Sequence, residues 1–366
     1  MRRRSLLRLL AACGLGAAGR VFPVAPDFPA VAKRPLAFPR DHGAHPDYRN
    51  EWWYVTGWLD VAGRPAGFQV TFFRTRTAHD PANPSRFAPH QLLLAHAALT
   101  WPAHGRLLFD QNALRVVRGD SDTQFDSNDT GLALRGWQLR RESASSIYTT
   151  RVDGNQVKLE LELVPSQQML LQGDGGYSRK GSQPGQASHY YSLPQLAVRG
   201  FAGLEGRSTP VTGRAWLDHE WSTSVLDQQS VGWDWLGINL DDGGALMAFR
   251  IRSRDGGPPR WAAARLRQPG GPVRSFSPDQ VHFETQGSWR SPRTGTLYPV
   301  RTEVTFGSGL SALRLAIVPL IEDQELDGRM TTGAVYWEGA VTALASDRVI
   351  GHGYLELVGY HRPMKI

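Results

Sequence analysis

The side chains best suited to chemistry gather in Trp216-Leu217-Asp218-His219-Glu220-Trp221 and, shortly after, Trp233-Asp234-Trp235. Three carboxylates and an imidazole lie among four of the chain's 12 tryptophans. Carboxyls in apolar surroundings lose solvation, which raises their pKa and suits them to general acid work near neutral pH. Strand geometry limits how they cooperate. Side chains alternate along a strand, so Asp218 and Glu220 share one face while His219 and Trp221 share the other. One pair then lines a pocket and the other meets a neighbouring strand, and the spacing does not say which. A buried ion-pair tie between strand ends would use the same residues.

Other chemistries fit poorly. A zinc protease needs His-Glu-x-x-His on a helix, whereas His219-Glu220 runs on to Trp221-Ser222-Thr223 in a strand-like context. The Gly-x-Ser-x-Gly elbow of serine hydrolases is missing from the chain. The loop Gly173-Asp174-Gly175-Gly176-Tyr177-Ser178-Arg179-Lys180-Gly181 lacks the Gly-Lys-Ser/Thr ending of a phosphate loop. The single cysteine, Cys13, excludes an internal disulfide, and no cofactor or metal is expected. The formal charge is +7, and subtracting Arg2, Arg3, Arg4 and Arg8 of the N-terminal segment leaves +3. That is too weak and too dispersed for nucleic-acid binding.

The elements that must position these residues read as strands. Trp52, Tyr54, Thr56 and Trp58 fall on one face of the first strand, and Trp53, Val55 and Leu59 on the other. Lys158 to Leu163 alternates with leucines inward. His189 to Leu193 and Leu196 to Phe201 form one bent strand or two short ones, and Asp241-Asp242-Gly243-Gly244 marks a hairpin. With 39 glycines, 24 prolines and no useful helical stripe, about sixteen short strands predict two antiparallel barrels or sandwiches. Trp52, Trp53, Trp58, Tyr190, Tyr191, Trp216, Trp221, Trp233, Trp235 and Trp337 either plug these cores or line a long apolar cavity. His42, His45 and His96 read first as hydrogen-bonded structural histidines.

The N-terminus carries targeting features. Arg2-Arg3-Arg4 precedes a short apolar run, and Arg3-Arg4-Ser5-Leu6-Leu7 resembles a twin-arginine export signal. Leu10-Ala11-Ala12-Cys13 resembles a lipoprotein box, with Cys13 either lipidated or an ordinary residue of a cleaved signal. The expected organisation is an export segment over 1–19, a proline-rich tether over 20–41, and barrels over 42–226 and 227–366. The chain is therefore expected to be exported, as a periplasmic or membrane-anchored lipoprotein.

Several motifs resemble the AttH-like secreted proteins, relatives of the acyclic carotenoid 1,2-hydratases. They include His42-Gly43-x-His45-Pro46-Asp47-Tyr48, Glu51-Trp52-Trp53-Tyr54-x-Thr56-Gly57, Ala95-His96-Ala97-Ala98-Leu99 and Gly176-Tyr177-Ser178-Arg179-Lys180-Gly181. Tyr190-Tyr191-Ser192, Trp216 to Ser222, Trp233-Asp234-Trp235 and Gly353-Tyr354-Leu355-Glu356-Leu357-x-Gly359-Tyr360 continue the match in order. The resemblance implies an all-β fold of two lipocalin-like (calycin) barrels in tandem. In the hydratase branch it implies a His-x-Trp pair, matched by His219 and Trp221. It also implies a later Tyr-x-Asp pair, and Ala245 to Arg250 lacks one.

The resulting expectation is a protein that binds an isoprenoid or acyl lipid and acts on it by acid-assisted hydration or hydrolysis. Asp218 or Asp234 would be the acid, His219 would position or activate water, and Trp221 would line the site. Glu51, Trp52, Trp53, His96, Tyr190, Tyr191, Trp233 and Trp235 complete the candidate ligand-binding set. The alternative is a non-catalytic lipid carrier, working beside an ABC-type transporter at the membrane, with Asp218, His219 and Glu220 as a structural polar cluster.

Overall fold

The computed structural model describes residues 28–364, apart from 81, 84, 86, 118 and 205. The export segment, Cys13 and the start of the proline-rich stretch lie outside the described residues. Among the described residues the fold is all-β, with only four three-residue 3₁₀ turns as helical structure. Thirteen strands between Asn50 and Ser224 form one antiparallel sheet, and ten between Ser230 and Leu357 form a second. The first curls into a nearly closed barrel, and Thr123 near one edge donates a hydrogen bond to the Arg115 carbonyl near the other. The second makes a half-barrel, and the pair forms two lipocalin-like barrels in tandem.

The three largest apolar clusters follow from the alternation of side chains. Trp53, Val55, Phe68, Phe72, Leu217 and Trp221 fill the first barrel. Leu236, Ile238, Tyr298, Val304, Trp337 and Leu355 fill the second. Tyr54, Tyr190, Trp216, Trp235, Phe249 and Tyr354 form a third cluster where the outer walls of the barrels meet. The strands of this seam, chiefly Asn50–Val61, Arg207–Ser224, Ser230–Leu240 and Arg348–Leu357, are therefore buried on both faces. Two-sided burial explains why aromatic and apolar residues occur on both faces of these strands, as in Trp52-Trp53-Tyr54-Val55 and Tyr354-Leu355.

The structure differs locally from the sequence expectation. Leu132 to Arg140 divides into two strands at Arg135-Gly136, where φ is 49° and 83°. The next segment takes the first of its two expected forms, one bent strand: Ala187–Leu204 is continuous, offset between Leu193 and Leu196, with Gln195 at φ 57°. The offset turns Gln195 toward the second barrel, where its amide donates to the Leu240 and Gly244 carbonyls at 2.8 and 2.7 Å. Leu159, Leu161 and Leu163 point inward as expected.

The stretch before His42 is not a free tether over its described part. Val31 and Asp41 are buried, and the Thr223 hydroxyl donates to the Pro29 carbonyl at 2.7 Å. Prolines keep this segment extended, while Arg34 and Asp41 anchor it by completing a buried polar cluster.

Candidate active site

The shared wall of the first barrel carries two polar clusters, one on each face. Asn50–Val61 pairs with Arg207–Ser224 so that Trp53 opposes His219 and Tyr54 opposes Asp218. His219 and Trp221 thus face the barrel interior, and Asp218 and Glu220 face the seam. Sequence alternation anticipated this division.

In the interior, Glu51 accepts hydrogen bonds from His45 Nδ1 at 2.8 Å, His219 Nε2 at 2.9 Å and Arg74 Nε at 2.8 Å. Burial alone would raise the Glu51 carboxyl, but Arg74 and the two histidines hold it well below its usual range. His45 Nε2 lies 3.0 Å from Asp41, which also accepts from Arg34 at 2.7 Å. Trp221 stacks on His45 at 3.7 Å between ring centroids, and Trp53 stacks on His219 at 4.5 Å. Tyr191 links His219 Nδ1 to His42 Nδ1 at 3.2 and 2.8 Å. Burial pushes His219 down, with Glu51 opposing.

His45, Glu51 and His219 are also a two-histidine, one-carboxylate donor set, their ligating atoms within 4.8 Å of one another. Here each of those atoms is hydrogen-bonded within the cluster, and the Arg74 guanidinium holds the second Glu51 oxygen. The cluster is closed by its own bonds.

The seam cluster has a different balance. Asp218 accepts from Tyr190 at 2.6 Å, Ser192 at 2.5 Å and Trp216 Nε1 at 2.6 Å. Burial raises its carboxyl, the three donors pull it down and neighbouring Glu220 pushes it up, leaving it at about 7. Trp235 Nε1 donates to the Tyr190 hydroxyl at 3.0 Å, so the second barrel touches the Asp218 network directly. Lys180 pairs with Glu220 at 2.8 Å and lies over the Tyr190 and Phe249 rings. A cleft of about 580 Å³ between the barrels, lined by Thr56, Trp58, Arg214, Asn239 and His352, meets this network at Trp216 alone. That volume is in the range of small-molecule sites.

The remaining expected site residues separate as follows. Trp52, Tyr190, Trp233 and Trp235 belong to the seam, and Glu51, Trp53 and Tyr191 to the interior. His96 lies at the barrel–barrel contact, hydrogen-bonded to Tyr336 and, at 2.6 Å, to Thr331; burial pushes it down to about 3. Asp234 does not join Asp218. It points into the second barrel, ion-paired with Arg250 at 2.7 Å and Arg252 at 3.1 Å and accepting from Tyr360 at 3.0 Å. Both oxygens of Asp234 are thus committed to the second barrel's own arginines and tyrosine, apart from the Asp218 network.

Glu338 and Glu356 are seam carboxyls that sequence reasoning did not single out. Tyr54 donates to Glu338 at 3.0 Å, and Trp233 Nε1 donates to Glu356 at 2.8 Å. A signal was available in the alternation of Tyr354 and Glu356 with Leu355 and Leu357, which places both polar groups on one face.

Asp218 has a testable effect on stability. Its carboxyl is raised from 3.8 to about 7 on folding, so its contribution is complete below pH 4 and is lost as pH rises toward 7. The stability difference between wild type and Asp218→Asn should shrink by up to about 1.4 kcal/mol per pH unit across that window and stay flat above it. Comparing the two proteins cancels the opposing effect of the buried histidines. Parallel melting curves from pH 5 to 8 would contradict the assignment.

A model of the AttH-like family matches residues 29–360. A crystal structure from Nitrosomonas europaea, described as an AttH, is 48% identical with a TM-score of 0.84, covering 91% of this chain and 99% of that one. Kievitone hydratase from Nectria haematococca gives a TM-score of 0.66 at 13% identity, over 92% and 98% of the two chains. CghA, solved with Sch210972, gives 0.54 at 14%, over 92% and 95%. At such identities the last two share the fold. No curated protein sequence matches. With the family model covering nearly all of the described residues, the chain belongs to the AttH-like family.

Proposed function

We propose that this protein binds a long apolar ligand, an isoprenoid or acyl lipid, in the seam between its barrels and hydrates it with acid assistance. The observation that carries this reading is Asp218, wholly buried, with its carboxyl at about 7 and bonded to Trp216, whose ring lines a cleft. A carboxylic acid still protonated near neutral pH is what alkene protonation requires. Its proton would pass to the terminal carbon of a double bond. The Trp216 and Trp235 rings would stabilise the cation left on the neighbouring carbon through their π-faces. Water then adds there and releases its second proton.

In this scheme His219 does not act on the same substrate atom as Asp218, because it faces the other side of the wall; it positions the Asp218 strand from behind. The hydratase identity of one fold relative is consistent with this kind of reaction. The Arg3-Arg4 run and Cys13 support work outside the cytoplasm, with lipid anchoring at Cys13 and an ABC-type transporter as a candidate partner. A carrier is the second reading, favoured by the three donors that saturate Asp218.

Binding in the seam is checked with parinaric acid, a fluorescent fatty acid excited by energy transfer from tryptophan. Transfer should fall in Trp235→Phe and persist in Trp53→Phe. The reverse pattern would place the ligand inside the first barrel.

A further inference from the structure

The seam contains more carboxyl groups than its cations can balance. Asp218 and Glu220 come from the first barrel, and Glu338 and Glu356 from the second, whereas Lys180 is committed to Glu220. Ala334–Ala345 and Arg348–Leu357 pair so that Glu338 and Glu356 stand directly opposite. Directly opposed side chains on antiparallel strands have Cβ atoms about 4.5–5.5 Å apart. Among the described residues, neither glutamate forms an ion pair. Two carboxyl groups brought this close without a cation disfavour each other's ionisation, so one of them stays protonated at neutral pH.

Their partners differ in a way that divides the roles. Glu338 is fully buried, and Tyr54 donates to one of its oxygens while the other has no partner. The Tyr354 hydroxyl, also buried and also without a partner, lies two residues from Glu356 on the same face. Glu356 is less completely buried than Glu338, and Trp233 Nε1 donates to one of its oxygens. Burial raises both groups, Glu356 to about 7, with Asp218 and Glu220 pushing Glu356 up as well. Tyr336 and Tyr54 face the pair as neutral phenols, each raised by burial.

Resting on the seam reading above, we propose that Glu356, paired across its strand with a protonated Glu338, is the base that takes the proton from the attacking water. The reaction then balances. Asp218 gives its proton to the alkene carbon, one water oxygen bonds to the adjacent carbon, and that water's released proton goes to Glu356. Transfer from Glu356 through solvent back to Asp218 resets the site. The net change is addition of one water, with no oxidant or reductant.

The test combines infrared titration of the full chain with turnover of squalene as an acyclic isoprenoid probe. Wild type should show a protonated-carboxyl band at pH 8 that Glu338→Gln lacks. Two further bands, from Asp218 and Glu356, should titrate near neutrality; Asp218→Asn removes one, and Glu356→Gln removes the other while Glu356→Asp keeps it. Turnover should fall by about a hundredfold in Glu356→Gln and recover partly in Glu356→Asp. If neither glutamate band disappears, the paired glutamates are ionised and the proposal is wrong whatever the activity. If Glu356→Gln turns over normally while Asp218→Asn is inactive, Glu356 is not the base but the seam reading stands. If both variants turn over normally, the seam reading fails with it.

Discussion

Replacing Asp218 with asparagine is expected to lower turnover by roughly 10² to 10⁴-fold, the usual contribution of a positioned acid, while the folded protein keeps its ligand. Asparagine retains the shape of the side chain and can accept from Ser192 and Trp216, the donors to one Asp218 oxygen. Its amide nitrogen meets the Tyr190 hydroxyl, which can turn from donor to acceptor there. Removing a titrating carboxyl therefore changes the chemistry more than the packing. Steady-state kinetics at neutral pH, with parinaric acid titration as the binding control, separates the two effects. If ligand binding is lost together with turnover, Asp218 is a structural tie and the carrier reading gains.

The second large effect lies on the other face of the same wall. Glu51→Ala should cost ~3–5 kcal/mol, because it leaves the wholly buried Arg74 guanidinium without its carboxylate. His45 and His219 lose their common acceptor in the same step. For a domain of this size that cost corresponds to a melting temperature lower by roughly 10 °C. Glu51→Gln should lose less, since the amide oxygen can still accept from one histidine. His219→Ala should resemble a milder Glu51→Ala, with a lower melting temperature and near-normal turnover per folded molecule. Melting curves measured beside single-turnover rates decide this. A stable but inactive His219→Ala protein would move the chemistry into the barrel interior.

Much of this arrangement was legible in the sequence because strand alternation is local information. The period of two placed Asp218 and Glu220 apart from His219 and Trp221, and Trp52 and Tyr54 apart from Trp53 and Val55. It could not say which face meets a second barrel, because that contact joins residues far apart in the chain, such as Tyr54 and Glu338. For the same reason Asp234 and Asp218 looked interchangeable. Only the arginines on the adjacent strand, Arg250 and Arg252, mark Asp234 as an ion-paired anion. The residues before His42 misled for a compositional reason. Proline-rich stretches read as tethers, yet Arg34 and Asp41 within this one complete the cluster around His45. The family motifs were the stronger guide there, since they begin close to where the buried structure does.

The proposed function makes the seam a reaction chamber and more than a join between barrels. It is tested most directly by incubating the protein with squalene in isotopically labelled water and weighing what is recovered. A product heavier by one labelled water is expected from wild type and not from Asp218→Asn. Squalene bound by both proteins and recovered unchanged from both would contradict it, and would leave a carrier.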